Sequence, residues 1–404
     1  MVEIHVDKVI DELYVLRIDD NNTKYFEALW YIPEGITYNA YLLLSDKIVL
    51  FDTWKYTYSE EFVENLSKII DLKDIDFIVL HHMEQDHSGS LPKVLELNNY
   101  KAMVLAHPLA RGMIESFYGI KPKFKSIKDG EVLNVGKYSL KFLHTPWLHW
   151  PETMVTYIKE LSVLLTCDIF GSFSIPPALY DSEVDEKGIE EYLVCTKKYI
   201  ITVVGHYKDY IIKNINKILS QGLDIKIIAP AHGLIWKHNP ELIINKYIEW
   251  AKGKPAERKV TIVYDSMYGY VEKAIKLLVD ELLKNNIEVK TYAFNEKSHP
   301  HVGDILSDIV DSSALVIGVS TYEADVFPEI MNVVNLIAKK ASYDKPVAVI
   351  SVYGWGGVAG KKVSELLIKA KYKIISVLEF KGLVKADIMK EIKNLAKNLI
   401  KEIG

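Results

Sequence analysis

The spacing of apolar positions in the first part of the chain predicts short β-strands joined by turns, with helices between them. Residues 39–52 contain two β-rich runs on either side of Ser45-Asp46-Lys47, which predicts a hairpin. A helix is predicted over about 58–70, because apolar residues recur there on one face. The apolar run 76–80 then predicts a buried strand, and Ser90 is the expected N-cap of the next helix.

The same mixed pattern continues to about residue 250. Strands are predicted over 139–144, 162–166 and 225–229, and a long helical region over about 185–220. A charged stretch with Gly and Pro, 251–258, then ends a helix and predicts a domain boundary. We therefore expect one domain over residues 1–252 and a second over 258–404.

Regular alternation of strands and helices marks the second domain. Its strands are predicted at 259–264, 288–293, 314–319, 346–352 and 375–379. A helix is predicted after most of these strands, and five βα units of this kind predict a doubly wound parallel sheet. The fold class expected from the sequence is therefore α/β.

Composition narrows the function classes. The net charge is −5 and no basic stripe is interleaved with aromatic residues, which argues against a nucleic-acid partner. Apolar runs are only strand-sized and the first residues lack the pattern of a signal peptide, so we expect no membrane span and a cytoplasmic protein. The two cysteines, Cys167 and Cys195, form no CxxC pair, which disfavours disulfide scaffolds, thiolate zinc sites and iron–sulfur clusters.

The hexapeptide His82-Met83-Glu84-Gln85-Asp86-His87 is the strongest chemical signal in the chain. It places four metal-capable side chains just after a buried strand, an arrangement that is costly unless a cation binds there. Three further candidates, His149, Asp168 and His232, also follow apolar runs. Each of these three alone has a local explanation as a packed histidine or a turn cap. Together with the hexapeptide they provide four histidines and three carboxylates, enough for two ions that share a bridging carboxylate.

Three loops in the second domain predict a flavin site, because each follows a parallel strand at its carboxyl end. The first loop precedes a helix whose N-terminus suits a phosphate, and the other two supply aromatic residues and close-approach glycines. No Gly-x-Gly-x-x-Gly follows the first strand, which disfavours a dinucleotide. The candidate contacts are Ser266, Met267, Tyr268, Gly269, Tyr270, Val271, Ser320, Thr321, Tyr322, Glu323, Ser351, Tyr353, Gly354, Trp355, Gly356 and Gly357.

The order of the metal-capable residues resembles the metallo-β-lactamase fold, whose hydrolases carry His-x-His-x-Asp-His and then a distant His, Asp and His. Glu84 stands here in place of the second His of that motif. A carboxylate makes the site harder and more anionic, which suits iron that must reach the ferric state better than zinc. With a flavodoxin-like domain behind this motif, the sequence is similar to the flavodiiron proteins over nearly its whole length.

This resemblance implies an N-terminal metallo-β-lactamase-like αββα sandwich that carries a diiron centre, and a C-terminal flavodoxin-like domain that binds FMN. One iron would be held by His82, Glu84 and His149. The other would be held by Asp86, His87 and His232, with Asp168 as the bridge. His87 is the least secure ligand in the family. Glu84, His149 and Asp168 are the residues we expect to matter most for catalysis.

The FMN loop departs from the family pattern. Flavodoxin-like relatives usually keep a Thr where Val271 stands and a small polar residue where Tyr270 stands. One hydroxyl contact to the phosphate is therefore missing, although backbone donors remain. His81, His144 and His206 match no ligand position, so packing or surface roles are expected for them.

The resemblance also implies the activity. Two ferrous ions and one reduced FMN hold the four electrons that convert O2 to two waters, whereas reduction of NO to N2O needs only two. Short archaeal members of the family oxidise the reduced deazaflavin coenzyme F-420 of methanogens, and we expect the same donor here. The alternative within the family is an NO reductase fed by rubredoxin.

Three further expectations complete the interpretation. The family pattern implies a head-to-tail homodimer or a dimer of dimers. No rubredoxin-like cysteine pairs occur in the 404 residues, so a separate electron donor is expected. Remote alternatives from other classes are a dinuclear zinc hydrolase, such as a thioesterase or phosphodiesterase, and a non-catalytic electron carrier or sensor with a decayed metal site.

Overall fold

A computed structural model describes residues 2–256 and 258–404; Met1 and Glu257, the latter in the predicted boundary stretch, lie outside the described residues. The chain divides into two compact units. The first comprises Met1–Ile200 and Tyr207–Ile248, and the second comprises Ile201–His206 and Glu249–Gly404. The sequence did not predict that residues 201–206 would group with the second unit. Among the described residues, no helix is both long enough and apolar enough to cross a membrane.

Two β-sheets form the centre of the first unit. Its strands are β1 (Glu3–Ile10), β2 (Leu13–Asp20), β3 (Tyr25–Phe26), β4 (Trp30–Tyr31), β5 (Ile36–Leu43), β6 (Ile48–Phe51), β7 (Ile75–Leu80), β8 (Met103–Ala106), β9 (Phe124–Ser126), β10 (Val132–Val135), β11 (Tyr138–His144), β12 (Met154–Ile158), β13 (Val163–Cys167) and β14 (Ile227–Pro230). One sheet has seven strands in the order β1-β2-β5-β6-β7-β8-β9, and the other has five in the order β10-β11-β12-β13-β14. The strands β3 and β4 form a separate small hairpin.

Helices complete this unit. They are α1 (Ser59–Ser67), α2 (Gln85–Ser88), α3 (Leu91–Leu97), α4 (Ala110–Tyr118), α5 (Glu186–Tyr199), α6 (Lys208–Leu219) and α7 (Pro240–Lys252), whose residues from Glu249 onward group with the second unit. A π-helical turn, Ile200–Val204, follows α5. The helix α1 is amphipathic and buries Phe62 and Leu66, as the sequence predicts.

A single apolar core lies between the two sheets, and alternate residues of both sheets contribute to it. Val15, Tyr41 and Val79 come from the seven-stranded sheet, whereas Phe142 and Leu165 come from the five-stranded sheet. All five side chains are at most 3 % exposed. This sheet-on-sheet core with helices outside is the predicted αββα sandwich.

The predictions of a hairpin and of a helix N-cap in this unit are confirmed. The strands β5 and β6 pair antiparallel around the predicted turn. Ser90 is the N-cap residue of α3, as predicted, but its side chain makes no capping hydrogen bond. The Ser90 hydroxyl donates instead to the Trp54 carbonyl at 2.9 Å and lies 3.0 Å from the Ser59 hydroxyl. A long-range partner therefore takes the place of the local cap.

The second unit is a parallel sheet with helices. Its strands are β15 (Lys259–Asp265), β16 (Glu288–Phe294), β17 (Ala314–Tyr322), β18 (Asp325–Val326), β19 (Pro346–Tyr353) and β20 (Lys373–Lys381). Its helices are α8 (Tyr270–Leu283), α9 (Val302–Val310), α10 (Pro328–Lys340), α11 (Ala359–Lys369) and α12 (Ala386–Ile403). The parallel strands lie in the order β16-β15-β17-β19-β20, and the short β18 pairs antiparallel with β17.

This strand order is the 2-1-3-4-5 arrangement of flavodoxin-like sheets. Adjacent strands of the order run parallel throughout. The doubly wound parallel sheet predicted from the sequence is therefore confirmed. In such sheets ligands bind beyond the carboxyl ends of the strands, where the order reverses.

Candidate metal centre and flavin cleft

The carboxyl ends of three strands supply most of the metal-capable residues. The strand β7 ends at Leu80 and leads into His82 and Glu84, while Asp86 and His87 lie in α2. Asp168 follows β13, and His232 follows β14 one residue after Ala231. Because β13 and β14 are parallel neighbours, their ends meet at one edge of the five-stranded sheet. His149 lies in the connection between β11 and β12.

One cluster of ligand atoms joins His82, Glu84, His149 and Asp168. One candidate ligand atom from each residue lies within 4.8 Å of all the others. Oε2 of Glu84 lies 2.8 Å from Nε2 of His149 and 3.4 Å from Nε2 of His82. Oδ2 of Asp168 lies 3.5 Å from Nε2 of His82. Two imidazoles and two carboxylates therefore converge on a space of ionic size.

A second cluster joins Asp86, His87 and His232, again with ligand atoms within 4.8 Å of one another. The second oxygen of Asp168 faces this cluster, because Oδ1 lies 2.9 Å from Nε2 of His87 and 3.2 Å from Nε2 of His232. Asp168 thus presents one oxygen to each cluster. This is the placement that a bridging carboxylate requires.

Unpartnered buried atoms show that these residues fit cations. Both carboxylate oxygens of Asp86, Oδ2 of Asp168 and Nε2 of His232 are buried and make no hydrogen bond. A buried ionisable group without a partner is costly, so groups of this kind are normally paired or bind a metal. The four orphaned atoms all belong to predicted ligands. Nitrogen and oxygen donors with three carboxylates suit iron.

Burial and close packing shift the pKa values of the candidate ligands. Burial alone would raise the pKa of Asp168, but the nearby imidazoles of His87 and His232 hold the pKa of this carboxyl well below its ordinary value. Burial raises the pKa of Asp86, which has no hydrogen-bonding partner. The neighbouring carboxylates Asp86 and Asp168 raise the pKa of His87 to about 9 against the opposing effect of burial. Protons therefore compensate the carboxylates when no metal does.

Three residues that sequence reasoning missed orient the ligands. Glu152 accepts a hydrogen bond from Nδ1 of His82 at 2.7 Å, and the carbonyl of Thr37 accepts one from Nδ1 of His232 at 2.7 Å. Both contacts leave Nε2 of the ring for a metal. The Tyr199 hydroxyl donates to Oδ1 of Asp168 at 2.9 Å. Only the carboxylate of Glu152, three residues after His149, carried a signal in the sequence.

The three histidines that match no ligand position in the motif lie outside the two clusters, as expected. His81 is buried between Asp52, at 2.7 Å from its Nδ1, and Thr156, at 2.8 Å from its Nε2. Nε2 of His144 lies 3.0 Å from the Ile127 carbonyl. His206 is exposed, and its Nδ1 lies 3.3 Å from the carbonyl of Lys339.

An open cleft of about 480 Å³ lies at the carboxyl ends of β15, β17 and β19 in the second unit. Four aromatic side chains around it are exposed, namely Tyr268 (81 %), Tyr270 (41 %), Tyr322 (39 %) and Trp355 (90 %). Exposed aromatic rings around a largely apolar cleft can stack on a planar ligand. The lining residues are Ser266, Met267, Tyr268, Tyr270, Val271, Ser320, Thr321, Tyr322, Glu323, Val352, Tyr353, Gly354, Trp355 and Gly382.

Most of the predicted flavin contacts line this cleft, but Gly269, Ser351, Gly356 and Gly357 do not. Ser351 is buried, and its hydroxyl donates to Glu379 at 3.0 Å. Val352 and Gly382 line the cleft and were not predicted.

The backbone at Gly269 shows why the first loop needs a glycine. Gly269 precedes α8 with φ +82°, a conformation that other residues rarely adopt. The Ser266 hydroxyl accepts hydrogen bonds from the amides of Gly269 at 3.1 Å and Glu272 at 3.3 Å. The loop is therefore folded into a compact turn at the helix N-terminus, where a phosphate is stabilised.

Comparison with known proteins agrees with the folds described for both units. The family model described as ODP family beta lactamase matches residues 36–233. A solved structure of a flavo di-iron protein variant from Thermotoga maritima is 43 % identical, with a TM-score of 0.95 over 100 % of both chains. The nitric oxide reductase of Moorella thermoacetica is 32 % identical over 91 % of each chain. The rubredoxin-oxygen oxidoreductase of Megalodesulfovibrio gigas is 30 % identical over 89 % of this chain and 88 % of its own.

These relatives match nearly the whole chain. Such homologues imply a diiron centre and FMN, and the residues described above fit both groups. The chain belongs to the flavodiiron protein family and is a flavodiiron oxidoreductase.

Proposed function

We propose that this flavodiiron oxidoreductase reduces O2 to water, with electrons that come from the reduced deazaflavin coenzyme F-420 through FMN. The observation that supports the two-metal centre is the position of Asp168, which presents one carboxylate oxygen to each of two clusters of nitrogen and oxygen ligands. The choice of F-420 as donor and O2 as acceptor rests on the resemblance to the short archaeal members of the family. When bound, two ferrous ions and one reduced FMN supply the four electrons that one O2 requires.

The predicted metal ligands of the first unit form two groups, one for each iron. His82, Glu84 and His149 would hold one iron, and a second group, Asp86, His87 and His232, would hold the other. Asp168 would bridge the two. The task of Glu152 and of the Thr37 carbonyl is to keep the rings of His82 and His232 in the orientation that leaves Nε2 for the metal.

Exclusion of water is the second task of this unit. His82 and His232 are completely buried, and the rings of Phe26 and Tyr38 pack against His232 with centroid distances of 6.3 and 5.7 Å. The Glu84 side chain is 18 % exposed, whereas the side chains of the other six predicted ligands are at most 8 % exposed. We therefore place the entry of small gases at Glu84.

The second unit would hold FMN in the cleft between its three loops. The amides of the Ser266–Tyr270 turn, at the start of α8, would face the phosphate. Tyr268, Tyr322 and Trp355 have the exposed ring area that would pack against a flavin ring. The cleft is open to solvent, so a soluble electron donor can reach a bound flavin.

A second candidate is reduction of NO with rubredoxin as donor; the name of one relative supports NO as the acceptor, and the name of another supports rubredoxin as the donor but O2 as the acceptor. One relative is named a nitric oxide reductase and another a rubredoxin-oxygen oxidoreductase. Both gases would use the same metal centre, so only the donor and the acceptor differ between the two proposals.

Anaerobic stopped-flow reduction of the bound flavin tests the donor. Reduced F-420 should bleach the flavin rapidly, whereas bleaching by reduced rubredoxin alone would overturn this choice. The reduced protein is then mixed with limiting O2 or NO in an electrode chamber. We expect the reduced protein to consume O2, to reoxidise all of its flavin and to release no peroxide. If NO is consumed faster than O2, NO reduction is the activity instead.

We also propose a head-to-tail homodimer or a dimer of dimers. The proposal rests on the family resemblance. Sedimentation velocity over a wide concentration range, with turnover measured on the same samples, tests it. Full turnover by a monomeric species would contradict it.

A further inference from the structure

A buried thiol lies beside the second metal cluster. Cys167 is the last residue of β13, is 5 % exposed and precedes Asp168 directly. Its Sγ, a nitrogen of His87 and a carboxylate oxygen of Asp168 all lie within 4.8 Å of one another. An ion between atoms at that separation would be within bonding distance of sulfur as well as of nitrogen and oxygen.

The backbone at this position is unusual. Cys167 has φ +53°, in the left-handed region that non-glycine residues rarely adopt. Such conformations persist where the surroundings hold them, and they cluster at functional sites. The conformation brings two consecutive residues, Cys167 and Asp168, into the same group of potential ligands.

The carboxylate of Asp86, a residue of the second metal cluster, shows that this side of the cluster needs a cation. Asp86 is 7 % exposed, and neither of its carboxylate oxygens makes a hydrogen bond. Its Oδ1 lies 3.4 Å from Nε2 of His87, and its Oδ2 lies 3.5 Å from Nε2 of His232. The buried, unpartnered carboxylate therefore belongs to the same cluster that Cys167 joins through His87.

We infer that Cys167 is an additional ligand of the second metal cluster, used when a thiophilic divalent ion such as zinc or cobalt occupies it. The inference rests on the proposed metal centre. On binding, the thiol loses its proton to solvent and a sulfur–metal bond forms, with no change of oxidation state. Thiolates favour zinc, whereas carboxylate and imidazole ligands suit iron. Cys167 would therefore raise the affinity of the second cluster for zinc relative to iron.

The inference predicts that Cys167 lowers the preference of the protein for iron over zinc. Cys167→Ser should weaken zinc binding by at least the roughly 10-fold loss that removal of an outer-shell partner causes. Ferrous binding should change little, because the nitrogen and oxygen ligands remain. The variant should therefore take up more iron relative to zinc when both metals compete.

Cobalt provides the direct test, because a thiolate bound to Co²⁺ gives a sulfur-to-metal charge-transfer band in the near ultraviolet. The full-length metal-free protein is titrated with Co²⁺, and cobalt content is measured on the same samples. The wild type and Cys195→Ser should show the band. Cys167→Ser and Cys167→Ala should bind cobalt without it. Cys195 is the matched control, since it is the other cysteine of the chain and joins none of the metal groups found among the described residues.

Each outcome separates the inference from the proposed function. A wild-type protein that binds cobalt without the band would overturn the role of Cys167 and leave the metal centre intact. A wild-type protein that binds no cobalt, zinc or iron would overturn the metal centre itself. A band that persists in both Cys167 variants would assign the sulfur ligand elsewhere and contradict the inference. Near-ultraviolet circular dichroism of each variant confirms that it is folded.

Discussion

Oε1 of Glu152 lies 2.7 Å from Nδ1 of His82, although the two residues are 70 positions apart in the chain. The same oxygen accepts a hydrogen bond from the amide of Met83 at 3.0 Å. One buried carboxylate therefore fixes both the ring and the backbone at the start of the metal hexapeptide. It also ties the loop that carries His149 to the loop that carries His82.

Removal of this carboxylate should loosen the first metal ligand. We expect Glu152→Ala to lower iron affinity by about 10- to 100-fold, the usual effect of losing an outer-shell partner of a metal-bound histidine. Glu152→Gln, which keeps an acceptor oxygen, should lose less. Competition with a chelator measures the affinity of each variant.

A control for this prediction is Glu160→Ala. Glu160 is exposed and accepts hydrogen bonds from Ser139, at 2.7 Å from its amide and 2.9 Å from its hydroxyl, away from the metal clusters. Its loss should leave iron affinity unchanged. Equal losses in the Glu152 and Glu160 variants would show that the effect is general destabilisation.

Asp168→Asn tests the bridge. The amide keeps the shape of the side chain but removes the negative charge and one of the two acceptor oxygens that face the clusters. We expect loss of at least one iron per chain and loss of gas reduction, with FMN retained. Iron content, flavin absorbance and O2 consumption measure the three quantities. Asp129→Asn, in an exposed ion pair with Lys217, is the control.

Much of the metal centre could be predicted from the sequence because its residues follow strands. The hexapeptide stands directly after the apolar run that forms β7, and Asp168 and His232 follow the parallel neighbours β13 and β14. Neighbouring strand ends meet in space, so a local pattern was enough to group these residues. The second unit was predictable for a similar reason, since regular βα alternation allows few topologies.

What could not be predicted depends on contacts between distant segments. Thr37 acts through its backbone carbonyl, which any residue would provide, so its identity carries no signal. Tyr199 lies in α5, and helical periodicity alone does not distinguish it from an ordinary core tyrosine. Ser351 was predicted as a flavin contact because it follows an apolar strand run. Its hydroxyl donates to Glu379, a long-range contact that the strand pattern does not reveal.

Burial of Asp265 predicts a pH-dependent stability in the second unit. Burial raises the pKa of this carboxyl from 3.8 to about 6, and only Oδ1 has a partner, the amide of Ser320 at 2.8 Å. The folded protein therefore binds the proton more tightly than the unfolded chain. Stability from this group is greatest below pH 4 and falls as the pH rises to about 6, by about 3 kcal/mol in total.

Asp265→Asn should remove this penalty while it keeps the acceptor for Ser320. In FMN-free protein at pH 7.5, we expect the variant to be more stable than the wild type by up to about 3 kcal/mol, and by roughly half as much at pH 5. Urea unfolding at both pH values measures the difference. Asp280→Asn on the exposed face of α8 should show no such trend. A variant less stable than the wild type at pH 7.5 would contradict the assignment.

Trp355 should contribute to flavin binding. Its side chain is 90 % exposed at the rim of the cleft, where it has no packing to lose when a ligand arrives. An aromatic contact is worth about 0.5–1.5 kcal/mol, so Trp355→Ala should raise the Kd for FMN about 2- to 12-fold. Quenching of flavin fluorescence on binding measures the Kd. Tyr56→Ala, which removes a 74 % exposed aromatic from the first unit, should leave the Kd unchanged.

The metal and flavin content of the purified protein tests the account most directly. Elemental analysis for iron and zinc is combined with the visible spectrum of the same sample. Two irons and one FMN per chain are the predicted result, because Asp168 faces two sets of hard ligands and the second unit has an aromatic-lined cleft. Two zinc ions and no flavin would contradict the account and would make a dinuclear hydrolase the leading interpretation.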